Sequence, residues 1–355
     1  MNISEIDPNL YVPETIQRDG LRFYDILDKP FKIFGIMKPE ENEHGYKRMP
    51  PEIAAKVSDN VYDLNWCTAG GRLRFKTDSA YVAIHAEMPA LGRAPHFADT
   101  GNMGFDMYEI IGGEQRYVKT FIPPWSDTPI PGYDSVIDFP DKGMHDVVIN
   151  FPLYSHVSKL CIGLDENSHI EESGEYRNAL PVVFYGSSIT QGGCASRPGM
   201  CYESILSREL NIDYINLGFS GSAIAEDEII DYIKGLEMSV FVLDYDHNAP
   251  NAEHLKKTHK KLFDAVRAAQ PELPILILPA PKYNPNEEWK ERKRIVFNTY
   301  AQAVAAGDKN VYYIDGAQLM LPYAKGDGTV DNCHPTDLGF MSMAENIKDV
   351  LKRII

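Results

Sequence analysis

A chain of 355 residues, 44% hydrophobic and 24% charged, has ordinary globular composition and is long enough for two domains with cores of their own. Its formal net charge of −16 argues against broad contact with a phosphate backbone, because nucleic-acid binders gather Lys and Arg to displace counterions. No stretch is apolar for long enough to span a bilayer, and the five cysteines (Cys67, Cys161, Cys194, Cys201, Cys333) form no CxxC pair, which reads as reduced thiols and not as a disulfide framework.

The chain starts MNISEIDPNL, without a basic start or an apolar run. No signal peptide is expected here, which favours a cytoplasmic setting, with export open if a leader has been trimmed. The first half then reads as strands. RLRFKT (72–77) alternates charged and apolar residues, and FDMYEI, RYVKTFI, HDVVINF and KLCIGL follow, separated by turn-rich pieces such as IGGEQ and PDKG. Only PPEIAAKV (50–57) looks briefly helical. Many short strands without intervening helices predict a β-sandwich or jelly roll over residues 1–172. The segment DENSHIEESGEYRN (165–178) is acidic and lacks an apolar period, so it is the expected boundary.

After it the rhythm changes. PVVFYG, DYINLGF, SVFVLDY, LPILILP and NVYYID are short apolar runs of the kind buried on both faces of a parallel sheet. Helical segments lie between them, and the chain closes with TDLGFMSMAENIKDVLKRII. Alternating βα units predict an α/β fold over residues 173–355, a three-layer α/β/α sandwich. In such a sheet the ligand site lies beyond the carboxyl ends of the strands, so the polar residues there carry the most weight.

The first of these strands ends in Gly186, Ser187 and Ser188, the second in Asn216, Gly218, Ser220 and Gly221, and the third in Asp244, Asp246, His247 and Asn248. Near the C-terminus DNCHPTDLGF places Asp331 three residues before His334. Pro335 keeps His334 out of the following helix, which Thr336 is placed to cap. A serine nucleophile needs a base within hydrogen-bond reach, a carboxylate to orient that base, and donors for the oxyanion. GSSITQGG has neither the GxxxxGK[ST] pattern of a phosphate-binding loop nor the GxGxxG pattern of a dinucleotide site, so no cofactor is expected.

Taken together in order, YGSSIT, NLGFSG, LDYDHN and DNCHP resemble the four spaced blocks of the SGNH (GDSL-type) hydrolases, each at the matching strand end. The resemblance spans residues 181–355. It implies Ser188 as nucleophile, His334 as base with Asp331 as orienter, and the Ser188 amide, Gly221 and Asn248 as oxyanion donors. Two positions depart from the family pattern: Ser187 stands where Asp is usual, and Asp246 and His247 precede Asn248 where Gly-x-Asn-Asp is usual. The implied reaction is ester cleavage through an acyl-enzyme. SGNH hydrolases joined to an N-terminal β-sandwich resemble carbohydrate esterases, which implies short acyl groups, acetyl foremost, on a carbohydrate or another small molecule.

Other residues invite weaker readings. Asp244, Asp246, His247 and His254 could be taken for a metal cluster, but without HExxH or paired-His spacing no metal site is expected. Cys194 has no partner block and reads as a bystander. Arg197 and Tyr283 are candidates for substrate contact, Trp289 for stacking or packing at a helix start, and first-half histidines such as His85 for strand faces without a role. An acyltransferase using the same acyl-enzyme is the nearest alternative function. A carbohydrate-binding protein with an inactive hydrolase-like half is the alternative of another class.

Overall fold

The computed structural model describes residues 7, 12, 15–89, 94–125, 130–322 and 324–355; apart from Asp7, the opening MNISEIDPNL lies outside the described residues. Two antiparallel sheets face each other in the first half. One has the order β1 (Leu21–Asp25), β9 (Lys159–Asp165), β4 (Tyr81–Glu87), β7 (Gly132–Asp138). The other runs β10 (Ile170–Glu171), β3 (Arg72–Thr77), β8 (His145–Asn150), β5 (Phe105–Ile111), β6 (Glu114–Phe121), with β2 (Lys32–Phe34) also paired to β3. Leu73, Phe75, Val82, Ile84, Phe105, Met107, Val147, Ile149, Leu160 and Ile162 fill one core between the sheets, as period-two alternation requires.

The β3 strand shows why this half does not stop at its own core. Alternation turns Leu73 and Phe75 inward and Arg72 and Arg74 outward, yet both arginines are buried, because the second half of the chain covers that outer face. Arg72 pairs with Asp213, donates to the Tyr214 carbonyl at 3.0 Å and lies 3.9 Å over the Tyr214 ring.

The second half is built on a parallel sheet of order β12 (Tyr214–Gly218), β11 (Val182–Gly186), β13 (Val240–Asp244), β14 (Ile275–Ile277), β15 (Val311–Tyr313). Every residue of β11 and β13 is buried, so the uninterrupted apolar runs mark strands covered on both faces. The order reverses direction across β11, which puts a ligand crevice at the carboxyl ends of β11 and β13. The long helices are α5 (Tyr202–Leu210), α6 (Asp227–Lys234), α7 (Ala252–Ala269), α8 (Glu287–Ala305) and α10 (Asp337–Ile354). In α7 the buried residues Leu255, His259, Leu262, Phe263 and Val266 form one helical stripe, and the Asn251 side chain caps the start by accepting the His254 amide at 2.8 Å. Among the described residues no helix is long and apolar enough to cross a membrane.

Three sequence expectations are modified. The brief helix becomes two, α1 (Pro51–Val57) and α2 (Asp59–Asn65), and their Ala54 and Val61, with Met49, join the core of the α/β half. Part of the acidic segment, Ile170–Glu171, pairs with β3. Thr336 occupies the N-cap of α10 but its side chain makes no capping bond.

Arg48 also ties the two halves together. It is 1% exposed, it donates to the carbonyls of Leu64 (2.6 Å), Asn216 (3.1 Å) and Gly218 (2.6 Å), and it lies 4.7 Å over the Phe219 ring. Nearby, the backbone passes so close that a Cβ on Gly70 (φ +83°) would lie 2.8 Å from the Cβ of Asn216. Replacing Arg48 leaves buried carbonyls without donors. Arg48→Ala is therefore expected to lower the unfolding free energy by about 3 kcal/mol, read from denaturant unfolding curves. An unchanged midpoint would show that this buried guanidinium does not hold the halves together.

Candidate active site

Strand β11 ends at Gly186, where a Cβ would lie 2.0 Å from Thr190 Oγ1 and 2.5 Å from the Asp244 carbonyl, so only glycine lets the chain turn there. The turn enters a short helix, α4 (Ser188–Gln191). The two adjacent serines are given different tasks. Ser187 Oγ caps the helix by accepting the Ile189 amide at 3.1 Å, whereas Ser188 Oγ lies 2.9 Å from His334 Nε2. As the first residue of the helix, Ser188 also keeps an amide without an intrahelical partner.

The loop that brings His334 is shaped by Asp331. Its Oδ1 accepts the amides of Cys333 (3.0 Å) and His334 (2.7 Å), and its Oδ2 accepts from His334 Nδ1 at 2.8 Å. Asn332 adopts φ +62°, a left-handed conformation that Asn tolerates, and the Val330 amide closes the loop on the His334 carbonyl at 2.9 Å. Burial alone would raise the Asp331 pKa, but the bonds from the His334 ring and the two loop amides outweigh it and hold the group at about 2. The His334 pKa is raised to about 9: the Cys333 side chain contributes most, partial burial opposes, and the Asp331 bond adds to the rise.

The loops after β12 and β13 close the other side. Gly221 has φ +68°, and its neighbours are engaged: Ser220 donates its amide to Gln191 Oε1 (3.0 Å) and Ser222 to the Phe219 carbonyl (2.9 Å). The Gly221 amide has no partner among the described residues. Asn248 Nδ2 donates one hydrogen to the Phe219 carbonyl at 2.9 Å and retains a second. The structure thus brings Ser188, His334 and Asp331 into one hydrogen-bonded chain, with Asn248 and Ser222, the residue after Gly221, both bonded to the Phe219 carbonyl.

The departures from the family pattern have physical places. Asp246 Oδ2 accepts the Ala280 amide at 3.1 Å, and His247 Nε2 lies 3.1 Å from Cys333 Sγ, joining the β13 loop to the His334 loop. Burial above all, with Lys282, His334 and Arg292 nearby, lowers the His247 pKa to about 3 and keeps the ring neutral. The four residues weighed as a metal cluster do not converge: Asp244 accepts from Thr190 and Tyr202, Asp246 from Ala280, and His254 Nε2 lies 2.8 Å from the Ile224 carbonyl. Burial first, then Asp331 and Cys333, pushes the Cys194 thiol up to about 12, so it is protonated at neutral pH.

Of the two candidates for substrate contact, neither sits in the chain around Ser188. The Arg197 guanidinium is engaged by Asp106 Oδ2 at 2.6 Å and the Tyr108 hydroxyl, and lies 3.9 Å over Tyr117; β5 supplies a buried carboxylate that no pattern around Arg197 announces. Tyr283 is half-exposed and borders a groove of about 210 Å³ with Lys282, Trp289, Lys325, Thr329 and Asn332. Trp289 packs against His247, ring centroids 4.7 Å apart.

Residues of the first half reach the site, and sequence reasoning missed them. The Tyr154 hydroxyl donates to the Ser188 carbonyl at 3.1 Å; Phe97 lies 4.6 Å from the Tyr154 ring, and His96 lies 5.6 Å from the His334 ring. Gly193 fits beneath, where a Cβ would lie 3.0 Å from the Tyr154 hydroxyl and 3.3 Å from His334 Cδ2. No block pattern marks these positions, because they sit in loops between strands of the other half.

Comparison with known proteins adds the family. Residues 179–352 match the GDSL-like lipase/acylhydrolase family, and residues 21–170 match the GxDLY family, described as the N-terminus of SGNH-hydrolase-type esterases. No curated protein matches the chain. Among solved structures, a Bacteroides ovatus protein assigned as a GDSL-like lipase is 25% identical with a TM-score of 0.83, covering 94% of this chain and 98% of that one. The salicylyl-acyltransferase SsfX3 from a tetracycline biosynthetic pathway is 18% identical with a TM-score of 0.74, covering 95% and 98%. A family two carbohydrate esterase from Clostridium thermocellum is 14% identical with a TM-score of 0.60, covering 92% and 98%. Residues 179–352 thus belong to the GDSL-like lipase/acylhydrolase family of SGNH hydrolases, residues 21–170 belong to the N-terminal family that accompanies such esterases, and the activity class is that of an esterase.

Proposed function

We propose that this chain is a serine esterase that removes short acyl groups, acetyl foremost, from a polar alcohol such as a sugar hydroxyl, with Ser188 as nucleophile, His334 as general base and Asp331 as its orienting carboxylate. The observation that carries the reading is the unbroken hydrogen-bonded chain from Ser188 Oγ through His334 (2.9 Å) to Asp331 (2.8 Å) at the carboxyl edge of the parallel sheet. In this reading residues 173–355 are the catalytic domain, and residues 1–172 form a β-sandwich domain that supplies Tyr154, Phe97 and His96 to the rim.

His334 Nε2 takes the Ser188 proton as Oγ attacks the ester carbonyl. The tetrahedral oxyanion is held by the amides of Ser188 and Gly221 and the free hydrogen of Asn248 Nδ2, each donor worth about 3 kcal/mol of transition-state stabilisation. The imidazolium then protonates the leaving alcohol, and water, deprotonated by the same ring, releases the acid. The short-acyl preference is supported by the neighbourhood of Ser188: the rings of Phe97 and Tyr154 and the small polar loops offer faces and hydrogen bonds to a sugar, and little apolar wall for a long chain. Across a matched chromogenic series kcat/KM is expected to fall by roughly tenfold or more from acetyl to octanoyl esters, and acetylated sugars are expected to be deacetylated. A preference for octanoyl would overturn the short-acyl reading.

An acyltransferase would use the same acyl-enzyme, with a bound alcohol replacing water. The shared fold of SsfX3 motivates measuring product with and without an added acceptor alcohol.

The pH dependence follows from His334. The base must be neutral, and its pKa is raised to about 9, so kcat/KM should climb as pH rises toward and through that value. Because the Cys333 side chain is the largest cause of the rise, Cys333→Ala should move the climb to lower pH. A profile flat from about pH 6 to about pH 10 would contradict the assignment of His334 as base, and one unmoved in the variant would show that Cys333 does not raise its pKa.

A further inference from the structure

The ligand atoms of His96, Cys194 and His334 lie within 4.8 Å of one another, a grouping that draws one residue from each of three separate loops and includes the base of the reaction proposed above. We propose that these three side chains form a reversible inhibitory site for a borderline-soft divalent cation such as Zn²⁺, which takes His334 Nε2 away from Ser188. The inhibitory part rests on the proposed role of His334; the binding part does not.

The ligand chemistry fits. Two imidazoles and a thiolate suit zinc, whose ligand atoms at about 2.0–2.3 Å from the metal stand about 3.3–3.7 Å apart in a tetrahedron, so side-chain shifts of about 1 Å close the site around the ion. The second neighbours fit as well. A zinc-bound histidine characteristically donates its other ring N–H to a carboxylate, and His334 Nδ1 already does so to Asp331 Oδ2 at 2.8 Å. The arrangement that presents Nε2 to the serine therefore presents it equally well to a cation. His96 is exposed, which gives the ion a route from solvent, and water completes the fourth position.

The exchange balances simply. Zn²⁺ displaces the Cys194 thiol proton and, from the protonated ring, the His334 Nε2 proton, both of which pass to solvent, and forms one Zn–S and two Zn–N bonds; the Ser188 Oγ to His334 bond is lost and no redox change occurs. Loss of that bond removes the base from the nucleophile. Chelation returns it.

A competing set, Asp331, Cys333 and His334, also has ligand atoms within 4.8 Å of one another. It is the poorer host, because Asp331 Oδ1 is already holding two loop amides and Cys333 lies against His247.

Two measurements test this. In the Ser188→Ala protein, Zn²⁺ binding followed by competition with a chromogenic chelator should give one ion per chain. His96→Ala and Cys194→Ser should each weaken it by at least about tenfold, Asp331→Asn by about 10–100-fold, and Cys333→Ser not at all. Absence of binding, binding unchanged by the His96 and Cys194 substitutions, or binding abolished by Cys333→Ser would overturn the site. In the unsubstituted protein, inhibition of ester hydrolysis should follow the same binding constant, be reversed by EDTA, and weaken in the His96→Ala and Cys194→Ser proteins relative to each one's own metal-free rate. Mapped binding with undiminished hydrolysis would overturn the inhibitory role. A chain that binds zinc as mapped but hydrolyses no ester would instead count against the esterase reading and leave the binding site standing.

Discussion

One carboxylate sets the geometry on which the site depends. Asp331 uses one oxygen to fold its own loop, accepting the Cys333 and His334 amides, and the other to fix the imidazole. Shape and orientation are thus tied together: any movement that breaks the loop bonds also turns the ring away from Ser188. Its other anchors include the Val330 to His334 backbone bond, the Lys282 bond to the Asn332 carbonyl at 2.6 Å and the contact of Cys333 with His247. An imidazole held this way is prepared to carry positive charge, which is what a base must do in the transition state of acyl transfer.

The same logic of shared duty runs through the join between the two halves. The outer face of the second sheet carries Arg72, Arg74 and Asp106, charges that would normally meet water, and each is buried against the α/β half. Arg197 answers Asp106 and Asp213 answers Arg72. Buried polar pairs of this kind add little net stability over apolar packing, but they penalise any other docking of the two halves. Fixed docking is what places Tyr154, Phe97 and His96 around Ser188 and His334, which belong to the other half.

Much of this was legible in the sequence, for identifiable reasons. The parallel strands appear as unbroken apolar runs because they are covered on both faces, and the blocks at their ends stand out because loops there must supply polar groups at fixed places. Strands such as Arg72–Thr77 read correctly from period-two alternation. Short or less regular elements did not: β2 has three residues, and β7, GYDSVID, is only half covered. The helices α1 and α2 lie in the strand-rich half but pack in the other core, a long-range choice that no local period records. Arg197 shows the same limit. Its loop position gives no sign of its partner Asp106, which lies 91 residues away on a strand face that only the assembled fold brings near.

The central claim is that two neighbouring serines have separate tasks, Ser187 capping a helix and Ser188 attacking the ester. It is tested most directly by reacting the protein with a fluorophosphonate and locating the adduct by mass spectrometry. The account predicts phosphonylation of Ser188 alone, retained in Ser187→Ala, where loss of the cap costs only about 1 kcal/mol of stability, and abolished in Ser188→Ala. An adduct on Ser187 or Cys194, or labelling that persists undiminished in Ser188→Ala, would contradict it.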